Sequence, residues 1–118
     1  KKHVPSGGAL HPLEAYLIAQ RVEGLAPGLY HYHVGDHALE PLPEAAGEGL
    51  SGVALAAVAG QDWFASAPVL VVLAARFRRN HWKYRNHAKA YRVMLLDAGH
   101  LAQTFALAAA ELGLGAFI

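Results

Sequence analysis

The sequence predicts a mixed α+β domain in which an antiparallel or mixed sheet accompanies one long helix, incomplete at both ends. Three observations carry that expectation: an alternating segment followed by a hairpin pattern, a continuous apolar run over 69–74, and a helical stripe from about His87 to Leu112. With 118 residues, the chain has the length of one domain and enough material for a core, with little margin.

Each element has a local reason. Pro5-Ser6-Gly7-Gly8 is a turn whose glycines can take positive φ and bring backbone close to a ligand. Leu13 to Val22 reads as a strand, because Leu13, Ala15, Leu17 and Ala19 alternate with Glu14, Tyr16, Ile18 and Gln20. Pro27-Gly28 turns the chain into a short strand from Leu29 to Val34. Gly35-Asp36 then returns it as Ala38 to Leu42, which makes a hairpin. Glu44 to Ala59 is rich in Ala and Gly and apolar at helical spacing, so a helix is expected. Val69 to Ala74 is apolar throughout and suits a strand buried on both faces. Over the long helix, Tyr91, Leu95, Ala98, Ala102, Phe105, Ala109 and Leu112 recur at a 3–4 spacing, with Gly113 as the expected stop. The glycine turn near the start and the apolar Ala116-Phe117-Ile118 at the end, a strand just beginning, suggest that the domain continues past these residues.

Composition bounds the function. Apolar residues make up 54% and charged residues only 16%, more apolar surface than a small monomer hides, so a subunit interface or further chain is expected. The absence of cysteine excludes disulfides, thiolate metal sites and a cysteine nucleophile. No uninterrupted apolar run reaches the ~20 residues of a bilayer span, and the opening residues are not a secretory signal. A cytoplasmic protein without a membrane partner is the expectation. Seven of the ten basic residues fall between Arg76 and Arg92 with no acid among them, a local field that attracts phosphate or an acidic partner unless it is simply a solvated face.

Four groups of residues could carry chemistry. In Pro5 to Pro12, backbone N–H groups and the Ser6 hydroxyl could bind a heteroaromatic edge or a phosphate, although an ordinary glycine turn reads the same. Trp82-Lys83-Tyr84 offers two proton-transfer groups. Lysine and tyrosine titrate near ~10 in isolation, so a base at neutral pH would need help from its surroundings. His31 and His33 share a strand face with Asp36 and His37 nearby, a weak metal pattern; no metal site is expected. Asp97, His100 and Thr104, on the helix side away from Leu95 and Phe105, suit solvent, a subunit contact or a structural role.

Taken together, Pro5 to Tyr16, Gly28 to Tyr32, Trp82 to Tyr84, Ala90 to Arg92 and Asp97 to Gln103 resemble, in order and spacing, the SagB-type thiazoline and oxazoline dehydrogenases of the FMN-dependent nitroreductase superfamily. The resemblance spans essentially the whole chain. It implies a nitroreductase-like fold, an intertwined homodimer with FMN at the interface, and a peptide or small-molecule substrate, with no nucleic acid. It maps flavin binding onto Pro5, Ser6, Gly7, Gly8 and Leu10, and the family's Lys-Tyr pair onto Lys83 and Tyr84. Gly99 and His100 lie on the counterpart of the family's dimer helix. Conventional nitroreductases carry Asn and Gln in the flavin turn where this chain has Ala9 and His11, which favours the azoline branch. Their N-terminal Arg-rich phosphate clamp and their C-terminal basic residues have no counterpart in this sequence. Other functions stay open: an NAD(P)H-dependent nitro or quinone reductase, a flavin-less scaffold subunit, and a basic binding domain for anionic ligands or nucleic acid, of which Trp82 and Tyr84 give only a weak sign.

Overall fold

The computed structural model describes residues 3–43 and 49–118. The chain forms two compact units, residues 14–74 and residues 1–13 together with 75–118.

The first unit carries the sheet. Four strands, β1 (Leu13–Ala19), β2 (Gly28–His33), β3 (Ala38–Leu42) and β4 (Val69–Ala75), are ordered β3-β2-β1-β4. The β1–β2 and β2–β3 pairs are antiparallel, with Tyr16 opposite His31 and His31 opposite Glu40. Gln20 N–H donates to Pro68 C=O at one end of the β1–β4 pair and Arg76 N–H to Pro12 C=O at the other, both at 2.8 Å, so this pair is antiparallel as well. Pro41 is tolerated because β3 is an edge strand, exposed along its whole length. β1 stops at Ala19, short of the expected Val22, which forms only an isolated bridge to Leu25. β4 does not meet the expectation of burial on both faces: it is the other edge, and Val72 and Ala74 are exposed. Ile18, Ala19, Tyr30 and Ala54 are this unit's buried apolar residues. The helix expected from Glu44 is α1 (Gly49–Ala57); residues 44–48 lie outside the described part. A short α2 (Asp62–Ala65) follows.

The second unit is helical. α3 (Phe77–His81) leads through a tight connection to the long α4 (His87–Glu111). Asn86 caps α4, its side chain accepting from the Lys89 N–H at 3.1 Å. The far end is a Schellman stop: Gly113 takes φ +72, its N–H reaches Ala110 C=O at 3.0 Å, and Leu114 N–H reaches Ala109 C=O at 2.9 Å. Residues 114–118 are irregular, so the strand expected at Ala116-Phe117-Ile118 is not formed. No partner strand lies beside it among the described residues.

Of the stripe the spacing of α4 suggests, only Ala109 is buried. Ala90, Met94, Asp97 and Ala109 are buried, whereas Tyr91, Leu95, Phe105 and Leu112 are exposed. Alanine is abundant on every side of this helix, so periodicity alone selects its core face poorly. By length and composition α4 could also cross a bilayer, although no single apolar run is that long. Core helices share that composition, but only 17% of this apolar window is buried within the single chain, and its buried Asp97 accepts hydrogen bonds from Ser6 and Gly7.

Candidate functional site

The site lies wholly within the helical unit, where the segment 5–12 meets α4 and the connection that precedes it. Gly7–Ala9 form one turn of 3-10 helix, opened by Ser6. Ser6 Oγ donates to Asp97 Oδ2 at 2.6 Å and accepts from His11 N–H at 2.9 Å, while Gly7 N–H donates to Asp97 Oδ1 at 2.9 Å. A carboxylate accepting two hydrogen bonds is satisfied even when it is only 4% exposed. Asp97 therefore clasps the turn onto α4 and faces neither solvent nor a subunit contact. The signal was present in the sequence: Asp97 sits seven residues after Ala90 and three after Met94, a carboxylate inside an apolar stripe.

This geometry revises the expected use of the turn. The Ser6 hydroxyl and the Gly7 N–H are committed to Asp97 and are not donors for a ligand. Only Gly8 of the two glycines takes positive φ, at 66°; Ala9 and His11 also do so, at 56° and 46°. For side chains larger than glycine that region is costly, and such residues gather where a loop is held for function. Gly7 is required for another reason. A Cβ there would stand 2.3 Å from Val93 Cγ1 on α4, so only glycine lets the turn approach the helix this closely. Pro5 and Gly8 are exposed, and Leu10 is half-buried.

Lys83 and Tyr84 converge on the same turn. Lys83 Nζ donates to Gly8 C=O at 3.3 Å. Lys83 Nζ and Tyr84 Oη lie 2.7 and 3.0 Å from the point a Gly8 Cβ would occupy. The connection bearing them is itself anchored: Asn80 C=O accepts the N–H groups of Lys83 at 3.2 Å and Tyr84 at 2.8 Å. The Lys89 ammonium stands 5.7 Å from the centre of the Tyr84 ring, within cation–π range. Trp82 packs on little, being 68% exposed. The arrangement thus sets an amine and a phenol side by side over a surface-exposed, side-chain-free stretch of backbone. The missing Cβ of Gly8 is what lets the Lys83 and Tyr84 side chains come this close to the turn, and the exposed backbone of the turn with an amine and a phenol beside it suits the polar edge of a flavin.

The other candidate groups are structural. His31 Nε2 is 3.2 Å from Glu14 Oε2 and its Nδ1 is 2.9 Å from Glu40 Oε2, so the two carboxylates occupy opposite edges of the ring and cannot share a metal ion with it. His33 pairs with Asp36 at 3.0 Å, and Tyr32 Oη with His37 Nδ1 at 2.6 Å. On α4, Thr104 Oγ1 donates to His100 C=O at 2.7 Å, and His100 is exposed.

The family model of the Nitroreductase family matches residues 2–118. The chain belongs to that family. As a nitroreductase-family protein it is expected among oxidoreductases, whose members here typically bind flavin. It is 36% identical over 116 residues to the trifolitoxin-processing protein TfxB of Rhizobium leguminosarum bv. trifolii, covering 97% of this chain and 31% of TfxB. Over 122 residues it is 31% identical to the microcin B17-processing protein McbC of Escherichia coli, covering 97% of this chain and 42% of McbC. A crystal structure of a protein assigned as a nitroreductase from Anabaena variabilis superposes with a TM-score of 0.77 at 32% identity, over 91% of this chain and 21% of that one. The nitroreductase-like α+β fold is thereby established. The chain spans a third to a half of the length of the curated relatives it matches.

Proposed function

We propose that this chain is the central part of an FMN-dependent oxidoreductase that oxidises azolines to thiazoles or oxazoles during the maturation of a peptide. The observation that carries the reading is the convergence of Lys83 and Tyr84 on the Gly8 turn. The names of two relatives, trifolitoxin-processing and microcin B17-processing, give it a substrate class.

The chemistry needs little else from the protein. The azoline carbon that lies between the imine nitrogen and a carbonyl bears an acidic proton, and aromatisation makes its loss favourable. Bound FMN would supply the two-electron acceptor for the hydride from the neighbouring carbon. Lys83 or Tyr84 takes the proton, the other group holding or relaying it, both being held close to the exposed Gly8 backbone. Asp97 contributes by fixing the turn through Ser6 and Gly7. In this reading Pro5, Gly8 and Leu10 line the flavin, and Ser6 and Gly7 act from behind through Asp97.

A homodimer belongs to the same proposal. Leu95 (60% exposed), Leu96 (55%) and Leu107 (63%) present apolar surface along α4 that a second copy would cover. The test is the purified full-length protein. It should show a flavin absorbance spectrum, scatter light as a dimer, and convert an azoline peptide to a product lighter by two hydrogen atoms. A colourless monomer inert toward azolines would overturn the proposal. Flavin with nitro or quinone reduction but no azoline oxidation would favour the reductase reading instead.

A further inference from the structure

Asn80 is wholly buried, at 0% exposure, yet neither its side-chain Nδ2 nor its Oδ1 has a hydrogen-bond partner among the described residues. It sits in α3, and its backbone carbonyl holds the Lys83 and Tyr84 N–H groups. If this position needed only filling, leucine would fill it at similar volume without dehydrating an amide. A primary amide offers a donor and an acceptor side by side. It is matched by a group that accepts and donates in the same place, which is what an internal water or a backbone peptide unit does.

We infer that Asn80 is a positioning residue: its buried amide is clamped by such a donor–acceptor group, and the clamp holds the connection that sets Lys83 and Tyr84 over Gly8. A buried polar contact of this kind fixes orientation where an apolar contact permits sliding. The carbonyl of the same residue then transmits the fixed orientation to both N–H groups of the pair. The mechanistic part of this inference rests on the proton-transfer role proposed for Lys83 and Tyr84; the clamp itself does not.

The experiment has two arms, both on the full-length flavoprotein. Asn80→Leu should keep its flavin-to-protein ratio and KM but lose about 100-fold in kcat, the scale of a small misplacement of reacting groups. The pH profile of kcat should move, and Asn80→Ser, which restores a polar group and leaves room for a water, should recover most of the loss. Wild-type kcat and pH profile in Asn80→Leu would overturn the inference. A high-resolution crystal structure of the wild-type protein forms the second arm and stands even if Asn80→Leu does not fold. It should show either an ordered water or a main-chain group within hydrogen-bond distance of both amide atoms, and the two sources are distinguished directly. Both amide atoms packed against carbon would overturn it. A protein that never oxidises azolines refutes the proposed function, while the crystallographic arm still decides the clamp.

Discussion

Ser6, Gly7 and Asp97 lie about ninety residues apart in sequence and form one hydrogen-bonded unit. Hydrogen bonds to a charged acceptor contribute more than neutral ones, so Asp97→Ala, which leaves Ser6 Oγ and Gly7 N–H without their acceptor, should destabilise the protein by about 3 kcal/mol. Urea unfolding of the two proteins measures this; a change within error of zero would remove Asp97 from the clasp. Gly7 tests the close approach. Gly7→Ala places a methyl 2.3 Å from Val93 Cγ1 and should cost about 1–3 kcal/mol by overpacking. The neighbour is a side chain, so Val93→Ala should relieve part of the cost in a double-mutant cycle. Additive effects would place the reason for this glycine elsewhere. Gly8 differs, because φ of 66° strains any substitution there before packing is considered.

At the scale of elements, the three strands β1 to β3 are tied on one face by His31. Hydrogen bonds that its ring donates to Glu40 first and Glu14 second raise its pKa from the ordinary 6.5. The hydrogen bond with His31 lowers the Glu40 pKa from its ordinary 4.5. The His31 contribution to stability is fully present below its unfolded pKa and is lost as pH rises through the raised folded value. That of Glu40 is present above its unfolded pKa and is lost as pH falls through the depressed one. The pair therefore stabilises most between about pH 4.5 and 6.5. In thermal melts, the difference in stability between wild type and His31→Gln should be larger at about pH 5.5 than at about pH 8.5. An equal difference at both would dismiss the pairing. Much of this architecture was legible in the sequence. Alternation in Leu13 to Ala19, the Pro27-Gly28 and Gly35-Asp36 turns, and the Gly113 stop each act through neighbouring residues. What was not legible depends on distant ones. Phe77–His81 is too short and too charged to show a helical stripe. The edge position of β4 follows from strand order and not from its apolar run. The buried side of α4 is chosen by packing and was hidden by alanine. The candidate site divides the same way: Lys83 and Tyr84 could be picked out by residue type and resemblance, but their meeting with Gly8, and the roles of Asp97 and Asn80, exist only in the folded chain.

For the whole molecule, the nitroreductase family and fold follow from matches along nearly the entire chain. The proposed reaction adds a division of labour within it. In that proposal the turn clasped by Asp97 offers exposed backbone, and the connection whose N–H groups Asn80 C=O accepts would carry the proton-transfer groups to it. That division would separate the proposed azoline oxidation from simple flavin binding, and Lys83 and Tyr84 are where it can be tested. The measurement is anaerobic single-turnover bleaching of the flavin by an azoline peptide, followed in full-length wild type, Lys83→Ala and Tyr84→Phe at matched flavin content. Loss of a positioned acid–base group costs on the order of 100- to 10,000-fold. The bleaching rate should fall by that order in both variants, with flavin occupancy unchanged. Wild-type bleaching rates in both variants, or loss of the flavin itself on removing either side chain, would contradict it.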